Sequence, residues 1–419
     1  MENRRNWAGN YTYNAKEMHI PETVEEVQEL VARSKQMKVL GTRHSFNGIA
    51  DTPGSHLSLQ KLNRVISLDR IQNTVTVEAG IRYGELGSYL NSQGYALPNL
   101  ASLPHITVAG AVATATHGSG NRNASLAASV QSLEMVQADG EAAVFSHGGE
   151  DSKFAGTVVH LGGLGVVTKL TLNVVPTFEI TQYVYDDLRL EVLERHFDEL
   201  FSSAYSVSLF TDWKRPVFNQ VWVKRKVDAG RTEIPLDEVF GAQKADTKRH
   251  PVPGSSAENC SEQLGIPGPW HERLPHFRMD FTPSAGEELQ SEYFVPRHAA
   301  YDALLALNEI RDRIAPLLYI SEVRTIAADE LWMSPCYRQD STAFHFTWKP
   351  DWKAVQQVLP LIERQLAPFQ ARPHWGKLFT MDPDYVQSLY TRYADFRQLL
   401  LNRDPDGKFR NSFLTSYFL

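Results

Sequence analysis

Cysteine is nearly missing from this 419-residue sequence, with only Cys260 and Cys336 present. Two thiols cannot build a disulfide framework or a cysteine-based zinc site within one chain. Long apolar runs are missing too, so no membrane span is read, and Met1 to Asn10 carry two arginines without the apolar stretch of a secretory signal. Basic charge is in short supply: 42 Lys and Arg against 49 Asp and Glu leave a net charge of −7, with no dense Lys/Arg run. That balance argues against general binding of nucleic acid or an anionic membrane and favours a small-molecule partner. A cytoplasmic protein is the expectation. Neither an internal repeat nor the dinucleotide fingerprint G-x-G-x-x-G nor a P-loop is found, so Rossmann and Walker readings have no support.

What is present is a globular composition, 42% apolar and 22% charged. A chain of this length divides into roughly two or three units and buries about three quarters of its unfolded surface, so its core needs no covalent staple. A helix is expected over Pro21 to Lys35, where Thr23 and Glu26 make a capping box and Val24, Val27, Leu30 and Val31 form one apolar stripe. Val39 and Leu40 form a strand that enters the turn Gly41-Thr42-Arg43-His44-Ser45-Phe46-Asn47-Gly48, and Thr74 to Glu78 alternates as a second strand. A helix over Tyr83 to Gln93 precedes a stretch of small residues, Thr107 to Gly120, and strands follow over Leu133 to Gln137, Ala143 to Phe145 and Val166 to Val174. The fold class is therefore α+β. From about Pro176 aromatic-rich strands near Tyr183, Phe210, Val221 and Tyr293 alternate with helices over Leu190 to Leu200 and His298 to Ile314, which marks a second domain. Between Asp246 and Pro269, Pro251, Pro253, Gly254, Pro267, Gly268 and Pro269 accumulate without a regular period, as an excursion beside a site or as a solvated spacer.

Two groups of residues carry chemistry. The first joins the turn Gly41 to Asn47 with Ser102-Leu103-Pro104-His105-Ile106-Thr107-Val108-Ala109-Gly110 and Thr114-Ala115-Thr116-His117-Gly118-Ser119-Gly120. Small residues let backbone N–H groups approach a phosphate, and Ser or Thr hydroxyls complete a cradle without bulk. The same runs also serve close backbone packing, so on composition alone both readings stand. His44, one of 14 histidines, sits inside the first turn and by itself is no site. The second group lies downstream. In Tyr319-Ile320-Ser321-Glu322-Val323-Arg324-Thr325 the period of two places Glu322 and Arg324 on one strand face, and in Phe344-His345-Phe346-Thr347-Trp348 it separates His345 and Thr347 from three aromatics. Either polar face could meet solvent, and Glu322 with Arg324 could be a structural ion pair. Arg372-Pro373-His374-Trp375-Gly376-Lys377 adds an imidazole and an ammonium in a segment that Pro373 and Gly376 keep from being a plain helix.

Taken in order, these segments resemble the alditol oxidases of the vanillyl-alcohol oxidase flavoprotein superfamily. The resemblance runs nearly end to end, from Asn6-Trp7-Ala8-Gly9-Asn10 through Pro267-Gly268-Pro269-Trp270-His271-Glu272-Arg273-Leu274-Pro275-His276 to Asp404-Pro405-Asp406-Gly407-Lys408-Phe409. It implies a two-domain FAD-binding fold of the vanillyl-alcohol oxidase type: an FAD-binding domain over residues 1–175, an inserted substrate or cap domain over 176–375, and a C-terminal segment, 376–419, that returns to the first. It implies FAD attached covalently through His44. Gly41, Thr42, Arg43, Ser45, Phe46, Ser102, Thr107, Gly110, Thr114, Ala115, Thr116 and His117 match the cofactor cradle, Val166 or Val167 the adenine end, and His374 a flavin contact. Thr42-Arg43 is bulkier than the small pair expected at that turn.

The resemblance further implies a polyol pocket of Ser102, Glu322, Arg324, His345, Thr347 and Lys377, in which a terminal hydroxyl is oxidised by hydride transfer to flavin N5 and dioxygen becomes hydrogen peroxide. Removing hydride from a carbinol requires the hydroxyl proton to leave, and His345 is the first candidate to take it. Lys377 and Arg324 would stabilise the developing alkoxide and an anionic reduced flavin, while Glu322, Thr347 and Ser102 would pair the hydroxyls. Small Ala101 could leave a path for dioxygen. An aldonolactone oxidase of the same superfamily is the nearest rival, with Ser102-Leu103-Pro104-His105 favouring the alditol side. A non-catalytic flavin- or sugar-binding protein and an electron acceptor other than oxygen are the further alternatives. Partners are a polyol and O2, with no nucleic acid or membrane; no metal is expected, and the oligomeric state, monomer included, is left open.

Overall fold

Capping chemistry sets where the first helix starts. Glu26 N donates to Thr23 Oγ1 at 3.2 Å and Glu22 N donates to Glu26 Oε2 at 2.8 Å, so the box closes around Thr23 and the helix spans only Val24–Arg33. Val27, Leu30 and Val31 are its buried face. The computed structural model describes residues 4–149, 153–227, 240–281 and 287–419 of the chain.

A parallel three-stranded sheet in the order Glu17–His19, Ser55–Leu57, Met37–Val39 feeds the turn at Gly41. Beside it an antiparallel sheet of five strands runs Val65–Asp69, Thr74–Glu78, Val166–Asn173, Val130–Val136, Ala142–Ser146. Its alternation holds from Thr74 to Val77, where Val75 and Val77 are buried and Thr76 Oγ1 lies 3.0 Å from Thr171 Oγ1 of the neighbouring strand. The expected helix at Tyr83 spans Tyr83–Ser92, and the small-residue stretch contains a short helix, Val108–Ala113.

Residues beyond 178 form a second, nine-stranded antiparallel sheet. The order is Gln243–Lys244, Glu179–Arg189, Val217–Lys226, Ser206–Thr211, Leu318–Ile326, Ser341–Trp348, Leu289–Pro296, Arg372–Pro373, with Gly268–Pro269 also pairing with Glu179–Arg189. The helices expected over Leu190 to Leu200 and His298 to Ile314 are each interrupted: helix Leu193–Ser202 follows a 3-10 turn, and Ala300–Glu309 is separated from Arg311–Ile314. Among the described residues no helix is long and apolar enough to cross a membrane.

Hydrogen bonds from loop segments tie the first part of the chain to the nine-stranded sheet and to the segment that follows it. Phe46 N donates to Gly376 O at 2.8 Å, and the Asn47 amide donates to Trp375 O and Lys377 O at 2.9 and 2.8 Å. Gly120 N donates to Thr325 O at 2.8 Å, and Ser119 Oγ to Val207 O at 2.5 Å. The end of the chain comes back to the beginning, where Asn411 Nδ2 donates to the carbonyls of Gly48, Ile49 and Asp51 at 2.8–3.1 Å. Segments about 330 residues apart thus converge on one cavity.

Candidate active site

Between the sheets lies a cavity of about 560 Å³. One end is a cradle. Gly41, Thr42, Arg43, His44, Ser45 and Phe46 border it together with Ser102, Thr107, Gly110, Thr114, Thr116 and His117. Packing is tight at Thr107: a Cβ added at Gly41 or at Gly110 would lie 2.9 or 2.8 Å from Thr107 Oγ1. Arg43 takes a left-handed φ of 66° and its carbonyl accepts from Trp7 N at 2.8 Å, so the bulkier Thr42-Arg43 pair follows a bent path that glycine would adopt without cost. Trp7 stacks on the His44 ring at 5.1 Å. His44 Nδ1 is 3.0 Å from Thr42 Oγ1, while its buried Nε2 has no hydrogen-bond partner. Burial, with His105 adding to it, pushes the His44 imidazole down to about 4, so at neutral pH the ring is uncharged.

The other end is the face of three neighbouring strands, and register brings the polar side chains into rows. Glu292 of Leu289–Pro296 pairs with His345 of Ser341–Trp348, and His345 pairs with Glu322 of Leu318–Ile326. In the adjoining row Gln290 pairs with Thr347. The aromatics Phe344, Phe346 and Trp348 turn to the opposite side and are fully buried. Two cations balance the two carboxylates. Lys377 Nζ donates to Glu292 Oε2 at 2.7 Å, Arg324 Nη2 donates to Glu292 Oε1 at 3.1 Å, and Arg324 Nε lies 3.6 Å from Glu322 Oε1. Arg324 Nη1 also donates to Ser102 Oγ at 3.1 Å, which ties the cradle segment to the charged face.

Burial opposes every one of these charges, and pairing decides the outcome. Desolvation raises both carboxyls, but Lys377, His117 and Arg324 hold Glu292 well below the usual carboxylate range, and Arg324 with His276 does the same for Glu322. Burial works against the Arg324 guanidinium, but Glu322 and Glu292 outweigh it and raise its pKa. Lys377 is pushed down by burial, with Glu292 opposing. His345 lies well below its ordinary value because it is buried and beside the Lys377 ammonium. The imidazole is therefore neutral, and its tautomer follows from its neighbours. Gln290 Nε2 donates to Glu288 Oε1 at 2.6 Å, so Gln290 Oε1, 3.1 Å from His345 Nε2, is an acceptor and Nε2 carries the proton. Nδ1 keeps the lone pair.

Most of the expected residues meet here: His345, Lys377, Arg324, Glu322, Ser102, Thr347 and His374 all border the cavity, as does Ala101. Ala115, Val166 and Val167 do not. Ala115, at a left-handed φ of 54°, turns into the hydrophobic core so that Thr114 and Thr116 can both border the cavity. Val166 and Val167 pair with Val136 and Met135 inside the five-stranded sheet, where two β-branched side chains join the core, and Leu161 and Gly162 form the cavity wall instead. Lys38 borders the cavity there too, its Nζ donating to Gly162 O at 2.9 Å. Glu292, Gln290 and His276 were not foreseen. The irregular segment after Asp246 proves to be an excursion, not a spacer, since His250, Pro251, Val252, Ser255 and Asn259 border the cavity.

The cradle fits a flavin dinucleotide. Its segments, Gly41 to Phe46 and Ala101 to His117, contain no carboxylate to repel phosphates, the glycines at Thr107 leave backbone exposed, and the partnerless His44 Nε2 is a buried polar atom that the chain itself does not satisfy. The comparisons agree. Residues 16–146 match the family model described as FAD binding domain, and residues 285–417 match that of D-arabinono-1,4-lactone oxidase. The cholesterol oxidase of B. sterolicum superposes with a TM-score of 0.78 at 14% identity, covering 99% of this chain and 96% of that one. Carbohydrate oxidase from Microdochium nivale gives 0.76 at 15%, with 96% and 92% covered. The fold is thus that of the FAD-binding oxidoreductases of the vanillyl-alcohol oxidase type. An alditol oxidase from a Streptomyces species is 50% identical over 412 residues, 98% of this chain and 97% of that protein, and mouse L-gulonolactone oxidase is 27% identical over 454 residues, 99% and 98%. The chain belongs to the alditol oxidase family.

Proposed function

We propose that this enzyme oxidises the terminal hydroxyl of acyclic polyols such as xylitol and sorbitol to the aldose, with O2 as acceptor and hydrogen peroxide as co-product. One observation carries the reading: a neutral imidazole, His345, lies in a row between two ion-paired carboxylates, Glu292 and Glu322, on a sheet face that continues into the cofactor cradle. Bound FAD would supply the oxidant, taking hydride from the carbinol carbon at N5 and passing its electrons to O2. His44 would hold it covalently, with Gly41 to Phe46, Thr107, Gly110, Thr114, Thr116 and His117 around its phosphates and His374 beside the ring.

The chain's own residues manage the proton and the hydroxyls. His345 Nδ1 accepts the hydroxyl proton, and its Nε2–H stays on Gln290 Oε1 throughout. The Lys377 and Arg324 cations stabilise the negative charge that develops on the substrate oxygen as the proton leaves. Glu322, Thr347 and Ser102 pair with the remaining hydroxyls, because a buried polyol left unpaired would cost about 1–3 kcal/mol for each group. The domain division belongs to the same proposal: residues 1–175 with 376–419 hold the cofactor, and 176–375 supply the substrate face. So does a cytoplasmic setting, in keeping with the unpaired thiols of Cys260 and Cys336.

Aldonolactone oxidation is the second reading, favoured by the match of residues 285–417 to the lactone oxidase model, since that span holds Glu292, Glu322, Arg324, His345 and Lys377. The test is peroxide release by the purified yellow protein from xylitol, sorbitol, mannitol, glycerol and a five-membered aldonolactone. Xylitol or sorbitol should give the highest kcat/KM. Faster turnover of the lactone would transfer the site to the second reading, and flavin bleaching without peroxide would point to an acceptor other than oxygen.

A further inference from the structure

Behind Glu322 the pocket continues as a chain of buried groups that the proposed chemistry does not use. Lys224, in strand Val217–Lys226, is fully buried and does not border the cavity. Three acceptors surround its Nζ: Leu274 O at 2.5 Å, Pro275 O at 3.2 Å and His276 Nδ1 at 3.2 Å. On its far side, His276 Nε2 lies 2.8 Å from Glu322 Oε1. The rings of Phe210 and Trp222 pack edge-on against the imidazole at 5.6 and 5.1 Å and hold its plane. His276 N also donates to Ser102 O at 3.0 Å, so one short loop touches two residues of the substrate pocket.

We propose that Lys224 and His276 are positioning residues: the Lys224 ammonium fixes His276 as the Nε2–H tautomer, and that proton anchors Glu322 Oε1 so that Oε2 alone faces the substrate hydroxyls. This rests on the polyol reading of the pocket. An ammonium has three protons and no lone pair, and the three acceptors around Nζ use all of them. His276 Nδ1 must then offer its lone pair, and Nε2 must carry the hydrogen that reaches Glu322. The reverse tautomer would set a bare imidazole nitrogen against a carboxylate oxygen in a buried site. Glu322 Oε1 also faces Arg324 Nε at 3.6 Å, whereas Oε2 makes no hydrogen bond among the described residues. Burial pushes Lys224 down to about 7, with Glu322 opposing, so the ammonium prevails below about pH 7. The other charged and titratable groups that face the pair are Arg324 and, toward Lys224, the buried Cys260, whose thiol burial pushes up to about 12. Burial, with Lys224 reinforcing it, pushes His276 down to about 4, which keeps the imidazole from taking a second proton.

The lock can be observed without turnover. In oxidised holoenzyme labelled with 15N-histidine, the His276 signals, identified by their loss in His276→Gln, should show a protonated Nε2 and an unprotonated Nδ1 from about pH 6 to about pH 7. An imidazolium or an Nδ1–H ring there would overturn the proposal. Lys224→Met should raise the KM for xylitol about tenfold, keep the limiting rate of anaerobic flavin reduction within about threefold, and give the KM a new imidazole-like pH dependence. His276→Gln, whose amide can accept from Lys224 and donate to Glu322, should stay near the parent KM, while His276→Leu should behave as Lys224→Met does. An unchanged, pH-independent KM in Lys224→Met would sink the idea. A parent enzyme that oxidises no polyol would instead sink the polyol reading, and the 15N result would still decide the tautomer.

Discussion

The two ends of the cavity are built from different materials. At the cradle, glycines and small hydroxyl residues bring backbone close to a ligand, no carboxylate is present between Gly41 and Phe46 or Ala101 and His117, and fit depends on what side chains leave out. At the sheet face, Glu292, Glu322, Arg324 and Lys377 are all but buried, their charges balance, and function depends on what side chains supply. The difference teaches where each end is fragile. An added atom should harm the cradle, and a removed one should harm the sheet face.

The largest effect is expected at Lys377. Without its ammonium only Arg324 remains to stabilise the charge on the substrate oxygen, so Lys377→Ala should slow anaerobic flavin reduction by about 10²- to 10⁴-fold. Stopped-flow absorbance measures this, and a loss under about tenfold would mean that Arg324 carries the charge alone. Glu292→Leu should come next. It strands two cations that Glu292 now pairs, which costs about 3–5 kcal/mol when one member of a buried ion pair is deleted. A urea midpoint equal to the parent's would show that water reaches the cluster.

At the cradle the sign reverses. Gly110→Ala should lower stability by about 1–3 kcal/mol and reduce flavin content, because its Cβ meets Thr107 Oγ1 at 2.8 Å. Adding Thr107→Ala, which removes that atom, should restore the stability. If the single variant kept its full flavin content and melting temperature, the cradle would be looser than its contacts indicate. The smallest effect belongs to Ser102→Ala. One hydrogen bond is lost there, so the KM for xylitol should rise by about 1 kcal/mol equivalent with the limiting reduction rate unchanged.

Legibility in the sequence followed the same divide. The cradle segments stand out as runs of small residues, and their places in the cavity match except at Ala115, Val166 and Val167. Those three are apolar residues that only the family pattern points to, and burial in the core claims them. On the sheet face, alternation exposed Glu322 with Arg324 and His345 with Thr347, and both pairs face the cavity. The same alternation is written in Leu289-Gln290-Ser291-Glu292-Tyr293. Alternation alone does not single it out, because only strand register, fixed by distant pairing, makes Glu292 and His345 neighbours. Lys38 and Lys224 gave no signal at all. A lysine in a strand ordinarily faces water, and the carbonyls that receive these two come from segments about 120 and 50 residues away.

The account depends most on His345 as the group that takes the hydroxyl proton. Anaerobic mixing of His345→Ala with saturating xylitol, followed by flavin absorbance over a range of pH, tests this directly. The parent should show no acid limb near the ordinary imidazole value of about 6.5, because burial and Lys377 hold His345 neutral well below it, and the variant should be slower by about 10²- to 10⁴-fold. A variant that reduced its flavin at the parent rate would contradict the assignment and move the proton to Glu322 or another group.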